Sequence, residues 1–357
     1  MIRIAYIINS VEGGGAALPV PDVTGVLRRG GADVRVFALT RRDGRAIAPM
    51  EDSGLQVTVR DGGERDHLAA LGWLDRQIAT ARPTHLWTSL TRATLLGQIA
   101  GLRRGLPVVS WQHAAYLKPG NRRLLRALQP LSRLWIGDSD AVTRLTAERL
   151  KVPAERLTQW SIFRADVAAP QATPWQPGQP IRIGTLGRLH PVKGYDVLVE
   201  ALARLPDMGT PIEVSIAGDG AELERLEARA RALGVTTLRL SGYTPDPRSY
   251  LAGLHLYIQP SRSEGLCVAA HEAMQAGLPV IASAVGQLPY SITEGEMGTL
   301  VPPGDAQALA DALALLLSQP ERLATMGAKA RVQVLDRFGP DRFEAAGLAI
   351  LERMRRF

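Results

Sequence analysis

One cysteine, Cys267, occurs in 357 residues, so the chain can form no internal disulfide and no thiolate zinc cluster, which suits a reducing compartment. The thiol falls inside an apolar run, where its expected part is that of a small buried hydrophobe. No apolar run approaches the roughly 18 residues that suggest a bilayer span. The opening MIRIAYIINS carries one basic residue and runs straight into glycines, so it reads as a first β-strand rather than a signal peptide. Aromatic residues make up only 5%, and no helix-turn-helix or other recognition pattern accompanies the basic residues, so nucleic acid is not an expected partner. Negative charge is missing over one long stretch. Between Asp75 and Asp138 there is no acidic residue, while Arg76, Arg82, Arg92, Arg103, Arg104, Lys118, Arg122, Arg123, Arg126 and Arg133 all lie there. Residues 1–165 hold 24 Lys and Arg against 14 Asp and Glu, whereas residues 166–357 hold 18 against 21. The basic half is built to meet anions.

Apolar residues at 46% and charged residues at 22% allow real cores, and at about 150 residues per domain the length suggests two domains. In the first half IRIAYII, ADVRVFAL, LQVTVR, THLWTSL, PVVSWQH and LWIGDS read as strands, mostly separated by helical patterns, which implies a parallel Rossmann-like sheet. The stretch VAAPQATPWQPGQP, with four prolines, reads as a linker. Strand and helix patterns then alternate again through IRIGTLG, IEVSIAG, TTLRLSG, HLYIQP, PVIAS and TLVPP. The expected organisation is an N-terminal domain over 1–166, a linker over 167–180, a second α/β domain over 181–340, and a helix over 341–357 that could cross back to the first domain.

Ligands of open parallel sheets bind beyond the carboxyl ends of the strands, so residues just after each strand are the candidates. After IRIGTLG come Arg188 and Lys193 with Gly187 and Gly194 ahead of a helix, a combination suited to a diphosphate. Gly218 and Gly220 make a turn in the neighbouring AGDG. After HLYIQP, the stretch SRSEGLCVAAHEAMQAGLP carries Glu264 and Glu272 with seven residues between them. A separation of eight residues is about 800° of helical rotation, which leaves the two carboxylates within about 80° of one side, staggered toward one extended ligand. Glu264 has helix capping as its plain alternative, and Glu272, among Ala269, Ala270, Ala273 and Met274, needs partners if buried. The triplet Asp138, Ser139, Asp140 imitates a metal-binding DxD, but here it starts a helix and reads as capping.

GRLHPVKGYDVL, AGDGAELERL, PSRSEGLCVAAHEAMQAGLPVIAS and GTLVPPGDAQALADAL together resemble the successive blocks of the retaining family four glycosyltransferases, glycosyl transferases group 1, of the GT-B fold. The resemblance covers nearly all of residues 181–320. It implies two Rossmann-like domains facing across a cleft and transfer of a sugar from a UDP- or GDP-linked donor to a hydroxyl of a saccharide or lipid-linked acceptor. Retention of configuration follows from it, and neither a metal nor any other cofactor is implied. It sets Glu264 against the donor sugar, Glu272 on the ribose, and Arg188 and Lys193 on the diphosphate, with the backbone of Gly265, Leu266 and Cys267 adding support. Gly14 and Gly15, following Gly13, match the glycine loop near donor phosphate and acceptor, and His113 matches a histidine facing the donor sugar. Gly218 and the segment Ser241, Gly242, Tyr243 complete the donor set. One departure is QWSIFRAD, standing where the family has an Asn-Gly-x-Asp pattern. The alternatives are another GT-B enzyme, such as a nucleotide-sugar epimerase, and a nucleotide-sugar-binding protein without catalysis.

LKPGNRRLLRALQPLSRLW, residues 117–135, spaces Leu124, Leu128 and Leu131 as a helix would, beside Arg122, Arg123 and Arg126, with Pro130 ending or kinking it and Trp135 at the end. A basic amphipathic segment with a terminal Trp suits contact with an anionic membrane. The expected setting is cytoplasmic, peripheral on the inner face of the membrane, in cell-surface polysaccharide, lipopolysaccharide or glycolipid synthesis.

Overall fold

The computed structural model describes residues 1–113 and 116–357. The chain forms two units, one of residues 1–164 with 340–357 and one of residues 165–339. In the first unit β1 (Arg3–Ser10), β2 (Asp33–Thr40), β3 (Gln56–Val59), β4 (His85–Ser89), β5 (Val108–Gln112), β6 (Ser132–Gly137) and β7 (Leu157–Gln159) make a seven-stranded sheet in the order β3-β2-β1-β4-β5-β6-β7. In the second, β8 (Ile181–Leu186), β9 (Ile212–Ala217), β10 (Leu238–Gly242), β11 (Leu256–Gln259), β12 (Val280–Ser283) and β13 (Gly298–Val301) make a six-stranded sheet in the order β10-β9-β8-β11-β12-β13. Both sheets are parallel throughout, for instance with Tyr6 opposite Trp87 and Leu256 opposite Ile183.

Each sheet reverses its strand order once, between β1 and β4 in the first and between β8 and β11 in the second. The chain diverges at that point, leaving a crevice at the carboxyl ends of the two central strands. The strands β4, β5, β11 and β12 are buried along their whole length, as strands covered by helices on both faces must be. Strand β7 was not among the sequence candidates; it is a three-residue edge strand that pairs with Trp135, Ile136 and Gly137.

One boundary differs from expectation. The proline-rich 167–180 belongs to the second unit. It is tied there by Ala172 N donating to Ala276 O at 2.7 Å and by the Arg331 guanidinium donating to Val167 O at 2.7 Å. The terminal helix runs over Pro340–Met354 and is part of the first unit. There Trp160 Nε1 donates to Phe343 O at 2.9 Å, and Trp160 stacks on Trp111 with ring centroids 5.1 Å apart. Trp160 belongs to the QWSIFRAD departure, so that segment serves this unit's core.

Candidate active site

In the second unit the chain leaves β8 through Gly187 and Arg188, makes a short turn over Pro191–Lys193, and enters the helix Tyr195–Arg204 at Gly194. Gly194 has φ +68°, and a Cβ there would lie 2.0 Å from Pro260 O, so no other residue fits between the ends of β8 and β11. Gly218, just after β9, is constrained in the same way, since its Cβ would lie 1.9 Å from Gly187 O. Backbone bonds knit these loops together: Leu189 N to Asp219 O at 2.7 Å, and Gly218 N to Gly242 O at 2.7 Å. Gly218 and Gly242 are thus part of the frame that holds the β8 loop.

At the centre of this frame Lys193 Nζ donates to Glu264 Oε1 at 2.8 Å. The same oxygen accepts from Ser261 Oγ at 2.6 Å and from Gln259 Nε2 at 3.2 Å. The Glu264 side chain is about one-tenth exposed and that of Lys193 one-fifth. Burial works against the lysine charge, but the Glu264 carboxylate outweighs it and holds the ammonium above the usual lysine range. The two residues thus form a partly sheltered ion pair at the switch point of the sheet. The Arg188 side chain lies exposed on the same loop.

Glu264 does not cap a helix. The helix beyond it begins only at Val268, after Cys267, which takes the left-handed conformation at φ +68°. The expected helical arc joining the two glutamates is therefore broken: only the part from Val268 to Glu272 turns as a helix, and the pair does not share one helical face. Gly265, Leu266 and Cys267 form the turn between strand and helix, with Leu266 and Cys267 buried. Burial pushes the Cys267 thiol well above its ordinary range, so the sulfur is an inert hydrophobe.

Glu272 is half-buried, and burial raises its carboxyl above the ordinary range, with Arg248 opposing the shift. The Glu272 backbone oxygen accepts from Ala276 N at 2.9 Å. Between the two glutamates His271 is fully buried, Nδ1 on Cys267 O at 2.9 Å and Nε2 on Ser291 Oγ at 2.8 Å, and burial lowers its pKa to about 4. Ser241 and Tyr243 flank Gly242 at the end of β10, exposed and outside the group bonded to Glu264.

The sequence reading did not single out Tyr257, Gln259 and Ser261. The available signal is the alternation Y-x-Q-x-S along HLYIQPS, which sets three polar residues on one face of an otherwise apolar strand.

In the first unit His113 follows β5, as expected for its place in the sequence. Both ring nitrogens face protein partners: Nε2 lies 2.8 Å from Ser89 Oγ and Nδ1 lies 3.3 Å from Asp138 Oδ2. The ring also packs on Trp111 at 5.2 Å between centroids. Burial raises the Asp138 carboxyl, and His113 counters that shift. Ser139 caps the helix Asp140–Leu150 by accepting from Val142 N at 3.2 Å, so this DxD sequence is a helix start. No group of three His, Cys, Asp or Glu side chains suited to a metal occurs among the described residues. Gly13, Gly14 and Gly15 form the loop after β1, with Gly13 N donating to Asp43 Oδ1 at 2.9 Å and Gly14 O accepting from Ala17 N and Leu18 N, each at 3.1 Å.

The basic segment forms a helix over Pro119–Leu128, of which only Leu125 is buried. Leu124 is 53% exposed, and Lys118, Arg122, Arg123, Arg126 and Arg133 are exposed. Trp135 is not interfacial as the sequence suggested: it is fully buried in β6, its Nε1 donating to Gln129 O at 3.1 Å.

The family model for glycosyl transferases group 1 matches residues 171–333. A D-inositol 3-phosphate glycosyltransferase of Nocardia farcinica is 30% identical over 352 residues, covering 85% of this chain and 77% of the relative. A putative colanic acid biosynthesis glycosyltransferase of Salmonella typhimurium, WcaL, is 28% identical over 236 residues, covering 62% of this chain and 55% of its own. Among solved structures, Anabaena HepE in complex with UDP-glucose superposes with a TM-score of 0.86 at 21% identity, covering 99% of this chain and all of that one. The last likeness speaks for the fold, which is of the GT-B type. With a relative this similar over so much of both chains, and with the family's blocks at the ends of β8, β9 and β11, the chain belongs to the glycosyl transferases group 1 family and is a glycosyltransferase.

Proposed function

We propose that the protein transfers a hexose from a UDP- or GDP-linked donor to a hydroxyl acceptor, with retention at the anomeric carbon and without a metal. The observation that carries this reading is the Lys193–Glu264 pair at the switch point of the second sheet. In such a transfer the bond from the anomeric carbon to the diphosphate oxygen breaks and its electron pair stays on the phosphate. The acceptor oxygen bonds to the anomeric carbon and its proton leaves with the diphosphate. Charge therefore accumulates on the phosphate, where Arg188 and Lys193 are assigned, while the Glu264 carboxylate faces the sugar, where positive charge develops. Two cations assigned to the leaving group, Lys193 held by Glu264 and Arg188 exposed on the same loop, support a reaction that runs without a divalent ion. Glu272, half-buried with its carboxyl raised by burial, is assigned to the ribose hydroxyls. Gly14 and Gly15 are assigned to the donor phosphate and acceptor, and Gly218, Ser241, Gly242, Tyr243 and the backbone of Gly265, Leu266 and Cys267 to the donor. His113 stands against the sugar, its ring held by Ser89 and Asp138.

The relatives lend support in kind: one acts on an inositol phosphate, one is placed in colanic acid biosynthesis, and HepE is seen with UDP-glucose. A thermal-shift panel of UDP- and GDP-sugars identifies the donor, since a ligand of the folded state raises its stability with occupancy. Nucleoside diphosphate release that survives EDTA, with the product's anomeric configuration read by NMR, then tests metal independence and retention. Loss of release on chelation, or an inverted product, overturns those parts of the reading; binding without turnover overturns catalysis.

We further propose that the acceptor is a lipid-linked saccharide of a cell-surface polysaccharide, lipopolysaccharide or glycolipid. The protein then works in the cytoplasm, peripheral on the inner membrane face. The exposed cations and Leu124 of the helix Pro119–Leu128 supply the contact, at about 1 kcal/mol per cation near an anionic leaflet. No helix is long and apolar enough to cross a membrane among the described residues. Flotation with phosphatidylglycerol vesicles is expected to carry the protein upward, and to fail when Arg122, Arg123 and Arg126 become Glu. Flotation unaffected by that change sinks the contact.

A further inference from the structure

We infer that Gln259 is a positioning residue for the transfer reaction, the middle member of a buried relay Tyr257–Gln259–Ser261 that sets the orientation of Glu264. The inference rests on the reading of Glu264 as the carboxylate facing the donor sugar.

The relay follows from strand geometry. Tyr257 and Gln259 lie two residues apart on β11, so their side chains leave the same face of the sheet. Ser261, two residues further, extends the series past Pro260 and also bonds to Gln259. All three are completely buried. Tyr257 OH donates to Gln259 Oε1 at 2.9 Å, which uses the amide's acceptor side and fixes which way the amide faces. The amide nitrogen then has two protons to place. One goes to Ser261 Oγ at 2.7 Å and the other to Glu264 Oε1 at 3.2 Å. Ser261 Oγ, accepting from Gln259, passes its own proton to the same Glu264 oxygen at 2.6 Å. The reversed amide is excluded, because it would set its oxygen against the carboxylate.

The consequence lies in the distribution of donors. Lys193, Ser261 and Gln259 all converge on Oε1, which fills its lone-pair directions. The ligand is thereby met by Oε2, at an angle fixed from behind by Gln259 and Ser261. Lys193 alone could not do this, because a single ammonium on a flexible stem holds a carboxylate without fixing its rotation, whereas three convergent donors do. A nonpolar residue at position 259 would fill the same space on an apolar strand. The glutamine is therefore present for its two donors and one acceptor.

The test uses release of nucleoside diphosphate from the turned-over sugar nucleotide, with water as acceptor if no other is known. Gln259→Met keeps the volume and removes the polarity. It is expected to lower kcat by about 10- to 100-fold, the worth of one hydrogen bond to a charged group, with KM for the donor nearly unchanged because the phosphate grip remains. Gln259→Glu is the discriminating variant. Ionised, it repels Glu264 and loses activity; protonated, it is isosteric with glutamine and regains a donor. Its kcat relative to wild type is expected to recover as pH falls toward the carboxyl range, while that of Gln259→Met does not. Wild-type kcat in Gln259→Met, or a loss in Gln259→Glu without relative recovery, overturns the inference while the proposed function stands. If Gln259→Met does not fold, Tyr257→Phe decides, since it removes the hydrogen bond that anchors the amide oxygen: unchanged kcat overturns the inference, and a several-fold loss supports it. A wild-type protein that releases nothing from any UDP- or GDP-sugar overturns the proposed function and this inference together.

Discussion

The two units share one sheet plan and use it differently. Each has a single reversal of strand order and loops at the carboxyl ends of its central strands, but the second joins the loops of its two central strands through an ion pair, Lys193 on Glu264 at 2.8 Å, whereas the first pairs its loop charges with flanking loops, Arg42 with Glu12 at 2.5 Å and Arg92 with Asp66 at 2.9 Å. In the first, the corresponding histidine is turned inward, its two nitrogens engaged by Ser89 and Asp138. Further cations lie exposed along the helix Pro119–Leu128. The fold thus supplies a place in both halves, with paired charge set across the strand-order reversal in the second and beside it in the first.

The comparison is open to direct attack. The largest effect is expected from Gly194→Ala or Gly218→Ala, whose new Cβ would strike a backbone oxygen at 2.0 or 1.9 Å. Such a clash should destabilise the second unit by about 3 kcal/mol or more, read by chemical denaturation. Next, Glu264→Gln is expected to reduce nucleoside diphosphate release about 100- to 1,000-fold with little change in melting temperature, whereas His113→Ala should cost less than about tenfold. Equal losses in the two variants would erase the asymmetry.

A smaller effect concerns acid. His271 titrates near 6.5 when unfolded and at about 4 in the folded unit, so the unfolded chain binds the proton first. Stability of the second unit should be complete above pH 6.5 and decline toward pH 4, and replacing His271 with Asn should flatten that decline in a melting-temperature series. The smallest is Glu272→Gln. Burial raises this carboxyl, so its stabilising contribution is present at low pH, where it is protonated, and is lost as pH rises through its folded titration. The variant should melt slightly higher than wild type at neutral pH while binding the donor more weakly. A variant that binds the donor as tightly as wild type would remove Glu272 from the ribose.

How much of this could be read beforehand depended on where the partners lie in the chain. The parallel sheets and the positions of Arg188, Lys193 and Glu264 were legible because strand, glycine and charge follow one another within a few residues. The Lys193–Glu264 bond joins residues 71 apart, so neither its existence nor the convergence on Oε1 could be read from spacing. Proline content made 167–180 look like a free linker, although its bonds to Ala276 and Arg331 come from far along the chain. Trp135 looked interfacial beside arginines, but the alternation of β6 turns it into the core. The strand Leu157–Gln159 is too short to carry a periodic signal.

The single thiol has a practical use. Cys267 is buried at the turn between Glu264 and the helix at Val268, and its backbone sits at φ +68°, where a side chain is disfavoured. A reagent such as a chromogenic aromatic disulfide can reach the sulfur only when that turn opens. Its labelling rate is therefore a built-in clock for local unfolding at the place where donor is assigned, with no competing thiol elsewhere in the chain. Added nucleotide sugar should slow that clock.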